Sequence, residues 1–209
     1  MARAAQPVSE LPTAPTAKWK DVLQEDLLPR QGQWSEEEYL VLTGERNRLV
    51  EFTDGFLEVL PTPTAKHQAI LAFLFLGFHK FIETRGGKVL FAPLRLRIRP
   101  GKFREPDLLL LLSARDPRGQ DQFWEGADLV VEVVSEDKPE RDLIDKRTDY
   151  AEARIPENWI VNPKSETITV LRLQGDAYEE AGIYRRQDSA ASTLLLGFSL
   201  SVAAAFDVD

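Results

Sequence analysis

The chain of 209 residues contains no cysteine, which excludes disulfides, zinc fingers and thiol catalysis. That fits a reducing compartment, and a cytoplasmic protein is the plain reading. A long hydrophobic run is also lacking. The most apolar stretch, AILAFLFLGF at 69–78, is cut by His79 and Lys80 and falls well short of the roughly 20 residues that a membrane span needs. No membrane span is expected; that run belongs in a buried core helix. The opening MARAAQPVSELPTAPTAKWK has no continuous apolar segment before its prolines, so a secretory signal is not expected. Residues 1–33 are read as an N-terminal tail, partly mobile, with part of 18–28 suited to a short helix. Positive charge is the scarcer sign: 26 Lys and Arg against 34 Asp and Glu leave a net charge of −8. Such a surface repels polyanions at long range, so nucleic-acid contact would have to come from a local basic stripe.

What is present suits one domain, residues 34–209, on a scale of about 100–200 residues per domain. Ser35 and Glu38 in SEEEYLVL form a capping box at the start of a short helix that ends near Gly44. RLVEFTDGFLEVLP (48–61) is two short apolar runs about Asp54-Gly55, a hairpin signal. From Pro63 to Thr84 the apolar residues Ile70, Phe73, Leu74, Phe78, Phe81 and Ile82 recur at helical steps, with Gly86-Gly87 as the stop. KVLFAP and the strictly alternating LRLRIRP follow, the latter setting Arg95, Arg97 and Arg99 on one face. PDLLLLLS (106–113) and ADLVVEVVS (127–135) are continuous apolar runs, as expected of central strands covered on both faces. Residues 138–154 read as an amphipathic helix with Leu143, Ile144, Tyr150 and Ala151 inward and Lys146 on the rim. Three more strands and a mixed C-terminal segment complete an order that predicts an α+β or α/β fold with a central mixed sheet.

One residue does not suit its setting. Glu132 interrupts the valine run LVVEVV, and an ionised carboxylate in an apolar interior requires a paired charge, a metal or a shifted pKa. Asp107 stands at the mouth of the neighbouring apolar strand, and two carboxylates side by side repel unless a cation bridges them. Mg²⁺ or Mn²⁺ suits such a pair, since hard cations take carboxylates, a backbone carbonyl, water and substrate phosphate. Lys146 could lean toward the strand ends and neutralise charge building on a phosphate.

Asp107 in its Pro-Asp step, with Glu132 on the next long apolar strand, resembles the divided acidic motif of the PD-(D/E)XK nuclease superfamily. More closely, WSEEEYL, VEFTDGFLEVLPTPTAKHQAI, PDLLLL, LVVEVVS, DLIDKRTDYAEARIPENWIVNP and ITVLRL, in this order over roughly residues 34–173, resemble the Uma2 family (DUF820) of that superfamily. The resemblance implies a restriction-endonuclease-like core, a mixed sheet flanked by helices with an added N-terminal hairpin and C-terminal strands. It also implies metal-dependent cleavage of a phosphodiester in nucleic acid. By position it implies Asp107 and Glu132 as ligands of Mg²⁺ or Mn²⁺, the carbonyl of Val133 as a further ligand, Lys146 as the catalytic lysine and Glu51 as an additional acid. The superfamily pattern has lysine two residues after the strand acid; here that position is Val134, and Lys146 on the following helix takes its place.

Each residue also has a plainer reading. Glu132 could be a buried salt bridge to Arg95 or Lys146, Asp107 a turn residue, Glu51 a half-exposed hairpin residue and Lys146 a solvated helix residue. His67, in the family-like AKHQ step, either faces the site or is an ordinary first-turn residue, and it stays outside the site set; His79 is read as structural. The basic run Arg95, Arg97, Arg99, Lys102 and Arg104 could track a phosphate backbone, but with this net charge it reads better as a polar strand face paired with nearby acids. Two other functions remain: a nuclease-fold binding or adaptor protein that does not cut, and, ranked last, a metal-free two-carboxylate glycosidase. Exposed apolar residues in the C-terminal strands suit a homodimer.

Overall fold

Ser35 opens the first helix, α1 (Glu36–Gly44), by a reciprocal cap: the Glu38 N–H donates to the Ser35 hydroxyl at 3.2 Å, and the Ser35 N–H donates to Glu38 Oε2 at 2.8 Å. The computed structural model describes residues 28–44, 49–135 and 140–208. The expectations for residues 1–27, a mobile tail and a short helix, lie outside them. Residues 31–209 form one compact unit.

The hairpin forms where the Asp-Gly step predicts it. Strands β1 (Val50–Thr53) and β2 (Phe56–Val59) pair from Val50 opposite Val59 to Thr53 opposite Phe56. Asp54 and Gly55 both take positive φ, 47° and 89°, which matches the loop twist to the strands. A Cβ on Gly55 would also lie 2.7 Å from the backbone of Gly32. Gly55→Ala is therefore expected to cost about 1–3 kcal/mol, the scale of a forced backbone conformation. Gly44→Ala, with nothing within 4 Å of the added methyl, should leave the urea midpoint almost unmoved. Equal midpoints for the two variants would show that the turn is not strained by a side chain.

The long helix α2 (Ala65–Glu83) is capped by Thr64, whose side chain accepts from the His67 N–H, and buries Ile70, Leu74, Phe78 and Ile82 at helical steps. Next come β3 (Lys88–Phe91), β4 (Arg95–Arg99), β5 (Lys102–Arg104), β6 (Leu108–Leu111), β7 (Phe123–Trp124) and β8 (Leu129–Val133). A π turn over Arg141–Asp145 leads into α3 (Lys146–Glu152), followed by β9 (Glu157–Asn162), β10 (Thr167–Gln174), β11 (Ala177–Tyr184), β12 (Ser189–Ala191), β13 (Ser199–Ser201) and α4 (Val202–Phe206).

The central sheet has six strands in the order β11-β10-β9-β8-β6-β3. It is mixed: β8 and β9 run parallel, connected through α3, and the other neighbours are antiparallel. Strands β6 and β8 are buried along their whole length. One face carries α2 over a layer that includes Leu74, Phe78, Val131 and Trp159, and the other carries Tyr150 and Ala151 of α3 with Leu96 and Trp124. This is the central mixed sheet that the element order predicts, flanked by helices as the family resemblance implies. No helix among the described residues is long and apolar enough to cross a membrane.

The added N-terminal hairpin lies outside the central sheet and forms the edge of a second sheet of five strands, β2-β1-β5-β4-β7, which the element order does not predict and whose own layer joins Tyr39, Val50, Phe52 and Phe103. Strands β5 and β7 are three and two residues long, too short to carry a periodic signal. The expected face of the helix after β8 needs correcting, because Ile144 is 60% exposed while Asp142, Lys146, Asp149 and Tyr150 are buried. Those four recur at helical steps, so the inward stripe is largely polar, which a search for apolar periodicity passes over.

One carboxylate gathers the 192–194 segment against β9. Glu157, fully buried at the start of β9, accepts from Trp159 Nε1 at 2.7 Å and the Ser192 hydroxyl at 2.6 Å through Oε1. Its Oε2 accepts from the Thr193 N–H at 2.7 Å, the Thr193 hydroxyl at 2.5 Å and the Leu194 N–H at 2.9 Å.

Candidate active site

Extending the antiparallel register of Leu108 opposite Val131 by one step sets Asp107 across from Glu132, on the face that α3 covers. The polar stripe of α3 meets them there. Lys146 Nζ donates to Glu132 Oε2 at 2.8 Å and lies 3.3 Å from Asp142 Oδ1 and 3.5 Å from Glu51 Oε1. Lys146 is only 3% exposed, so it is a buried charge and not the rim residue that the sequence suggests. Tyr150, one turn further along α3, donates its hydroxyl to Glu132 Oε1. The cation that makes Glu132 tolerable in its valine strand is thus the Lys146 ammonium, whereas Arg95 turns away and donates to the Gln122 carbonyl at 3.1 Å.

Asp107 is held separately. Its Oδ2 accepts from the Val133 N–H at 2.7 Å, and its Oδ1 lies 3.0 Å from His67 Nε2, in the first turn of α2. Glu51 on β1 is buried rather than half-exposed and also accepts from the Glu105 N–H at 3.3 Å. Asp142 Oδ2 accepts from the Ser135 N–H and hydroxyl at 3.0 and 3.1 Å. Asp107, Glu132, Lys146 and Glu51 thus meet at one end of the central sheet, with the Val133 N–H on Asp107. Asp142, Tyr150 and His67 join them, and sequence reasoning leaves these three outside the set. The i, i+4 spacing of Asp142, Lys146 and Tyr150 was the signal available for the first two.

The electrostatics follow from burial. Loss of water raises Glu132 above an ordinary carboxylate, against the pull of Lys146 and with the help of Asp107 and Asp142. Burial would lower Lys146, but Glu132, Glu51 and Asp142 outweigh it and hold the ammonium charged. Burial likewise acts against protonation of His67, and the hydrogen bond that its imidazole donates to the Asp107 carboxylate, with that group's charge, overcomes it and raises the imidazole. Burial, reinforced by Glu132, raises Tyr150 far above a free phenol, so its proton stays on and it remains a donor.

The charges continue outward from this cluster. Glu51 Oε2 lies 3.7 Å from Arg104 Nε, which reaches Asp149 at 2.7 Å; Lys102 joins Asp149 to Glu152, and Arg99 joins Glu152 at 3.0 Å to Asp54 at 2.7 Å. Arg97 pairs with Glu36 at 2.7 Å. Arg97, Arg99, Lys102 and Arg104 of the basic run are therefore neutralised within the fold, as the paired-strand reading expects, whereas Arg95 meets the Gln122 carbonyl. His79 stacks on Phe75 and lies 3.7 Å from Glu83, away from the cluster.

Glu51, Asp107, Glu132 and Asp142 bring carboxylate oxygens, the donor type that a hard divalent cation takes, around one ammonium and one histidine. Among the described residues no three His, Asp or Glu side chains are already gathered as a metal cage.

A crystal structure described as that of "a putative nuclease belonging to DUF820 from Anabaena variabilis ATCC 29413" superposes with a TM-score of 0.69 at 19% identity, covering 85% of this chain and 98% of that one. At that identity the likeness is one of fold. No curated protein matches the sequence. The model of the Uma2 family, described as "Putative restriction endonuclease", matches residues 36–203, and the chain belongs to that family.

Proposed function

We propose that this chain is a metal-dependent endonuclease or related phosphodiesterase of the Uma2 type that cleaves nucleic acid. The observation that carries this reading is the buried Lys146 ammonium set against Glu132, Glu51 and Asp142, beside Asp107, at the end of a nuclease-fold sheet. In this reading residues 34–209 act as a single domain in a reducing compartment, and the exposed Ile183 of β11 suits a homodimer.

Asp107 and Glu132 would hold Mg²⁺ or Mn²⁺ with the Val133 carbonyl. The Val133 N–H already points to Asp107, and the N–H and C=O of one extended residue face the same strand edge. Bound there, the cation would supply Lewis-acid polarisation of a phosphate oxygen. Lys146 holds Glu132 and offsets negative charge developing on the phosphate, and Glu51 keeps Lys146 charged. Asp107 and His67 have side chains 14% exposed, against 2–4% for Glu132, Glu51, Asp142 and Lys146, so the substrate meets the cluster from their side.

The test is incubation of the purified protein with duplex DNA, single-stranded DNA and RNA, with EDTA and then with added Mg²⁺ or Mn²⁺. Cleavage should stop in EDTA and return with metal. Intact substrates throughout would refute the reading. Binding without cleavage would favour the adaptor alternative, which draws support from Glu132 having both oxygens engaged by Lys146 and Tyr150.

A further inference from the structure

Glu132 is gripped from one helix at two points. Lys146 takes Oε2 and Tyr150, four residues later on α3, takes Oε1. The Lys146 ammonium is shared with Asp142 and Glu51 at 3.3 and 3.5 Å, so it can swing among three acids. A point charge of that kind sets a distance. It does not set the plane of a carboxylate, whose terminal torsion is broad and roughly two-fold. The Tyr150 hydroxyl is placed differently: its ring is fully buried in the apolar layer with Val130, Ile155 and Ile160, and its position is fixed by packing.

From this geometry we infer that Tyr150 is a positioning residue, whose hydroxyl fixes the plane in which Glu132 presents its carboxylate to a divalent cation. The inference rests on the metal-dependent reading above. Tyr150 is fully buried and so acts on the reaction through Glu132, without touching substrate. Partners that orient a ligand in this way govern metal affinity as strongly as they govern rate. The competing role is purely structural, because a buried tyrosine generally finds an acceptor for its hydroxyl. Tyr178 fills that role in the same layer, donating to the Ile155 carbonyl at 2.7 Å. It provides a matched control.

The experiment is calorimetric titration of Mn²⁺ into the full chain without substrate, for wild type, Tyr150→Phe and Tyr178→Phe. Each variant keeps its ring and loses one buried hydroxyl, and urea midpoints confirm folding. Tyr150→Phe should bind Mn²⁺ about 10–100-fold more weakly than wild type, while Tyr178→Phe binds as wild type does. Unchanged affinity in Tyr150→Phe, or equal weakening in both variants, overturns the inference and leaves the metal reading standing. Absence of Mn²⁺ binding by the wild type refutes the metal reading, and the inference falls with it.

Discussion

Replacing Lys146 by methionine should lower the unfolding free energy by about 3–5 kcal/mol, the range for removing one partner of a buried ion pair. Methionine nearly preserves the volume, so the loss is chiefly electrostatic. Glu132 at 2.8 Å, Asp142 at 3.3 Å and Glu51 at 3.5 Å would all lose their common counter-charge where little water can reach them. The urea midpoint should fall at unchanged slope. Cleavage should be lost as well. Because an unfolded variant is trivially inactive, the informative protein is the double variant Lys146→Met with Glu132→Gln. It removes one charge of each sign and keeps an acceptor for Tyr150, so its destabilisation should be well below the sum of the two single changes. It should still fail to cut. A double variant that is stable and active would mean that the pair serves the fold alone, whereas a Lys146→Met protein with the wild-type midpoint would mean that another cation balances these acids.

The second large effect belongs to Glu157. Changing it to alanine leaves the buried Trp159 indole and the part-buried Thr193 amide without their acceptor, on a scale of about 1–3 kcal/mol for each donor left unpaired, while the Leu194 amide keeps the Ser192 hydroxyl at 3.2 Å. At least about 2 kcal/mol of stability should be lost on that scale. Hydrogen exchange should accelerate first at Thr193 and Leu194. Glu157→Gln should fall in between, since it keeps one oxygen for two partners but turns an NH₂ toward donors. If exchange in the 192–195 segment does not change in either variant, the C-terminal segment is anchored by its apolar contacts instead.

The sequence made some of this legible and concealed the rest for identifiable reasons. The Asp54-Gly55 turn, the Ser35 cap, α2 and the buried strands β6 and β8 all rest on local chemistry, and each formed where that chemistry predicts. Glu132 was conspicuous because a lone acid in a valine run needs a partner. Of its two donors, Lys146 was already a candidate partner, while Tyr150 read only as an inward apolar residue: Leu143 and Ile144 lie beside the polar stripe of α3 and suggest a helix face rotated away from the one that packs. The five donors of the Glu157 cradle mostly lie 35–37 residues downstream in irregular chain, where no periodicity marks them. The second sheet was hidden by the shortness of β5 and β7 and by pairing between distant segments.

The run of charges from Glu132 to Asp54 crosses from the interior to solvent. At its inner end Lys146 and Glu132 have side chains 4% and 2% exposed; at its outer end Arg99 and Asp54 are 35% and 57% exposed. Dissolved ions screen only charges they can approach, over a Debye length of about 8 Å at physiological ionic strength. One chain of alternating charges therefore spans two dielectric regimes. Added salt weakens its attachment at the hairpin tip while leaving the grip on Glu132 almost unscreened, so the candidate active centre is insulated from the ionic strength that acts on the surface around it.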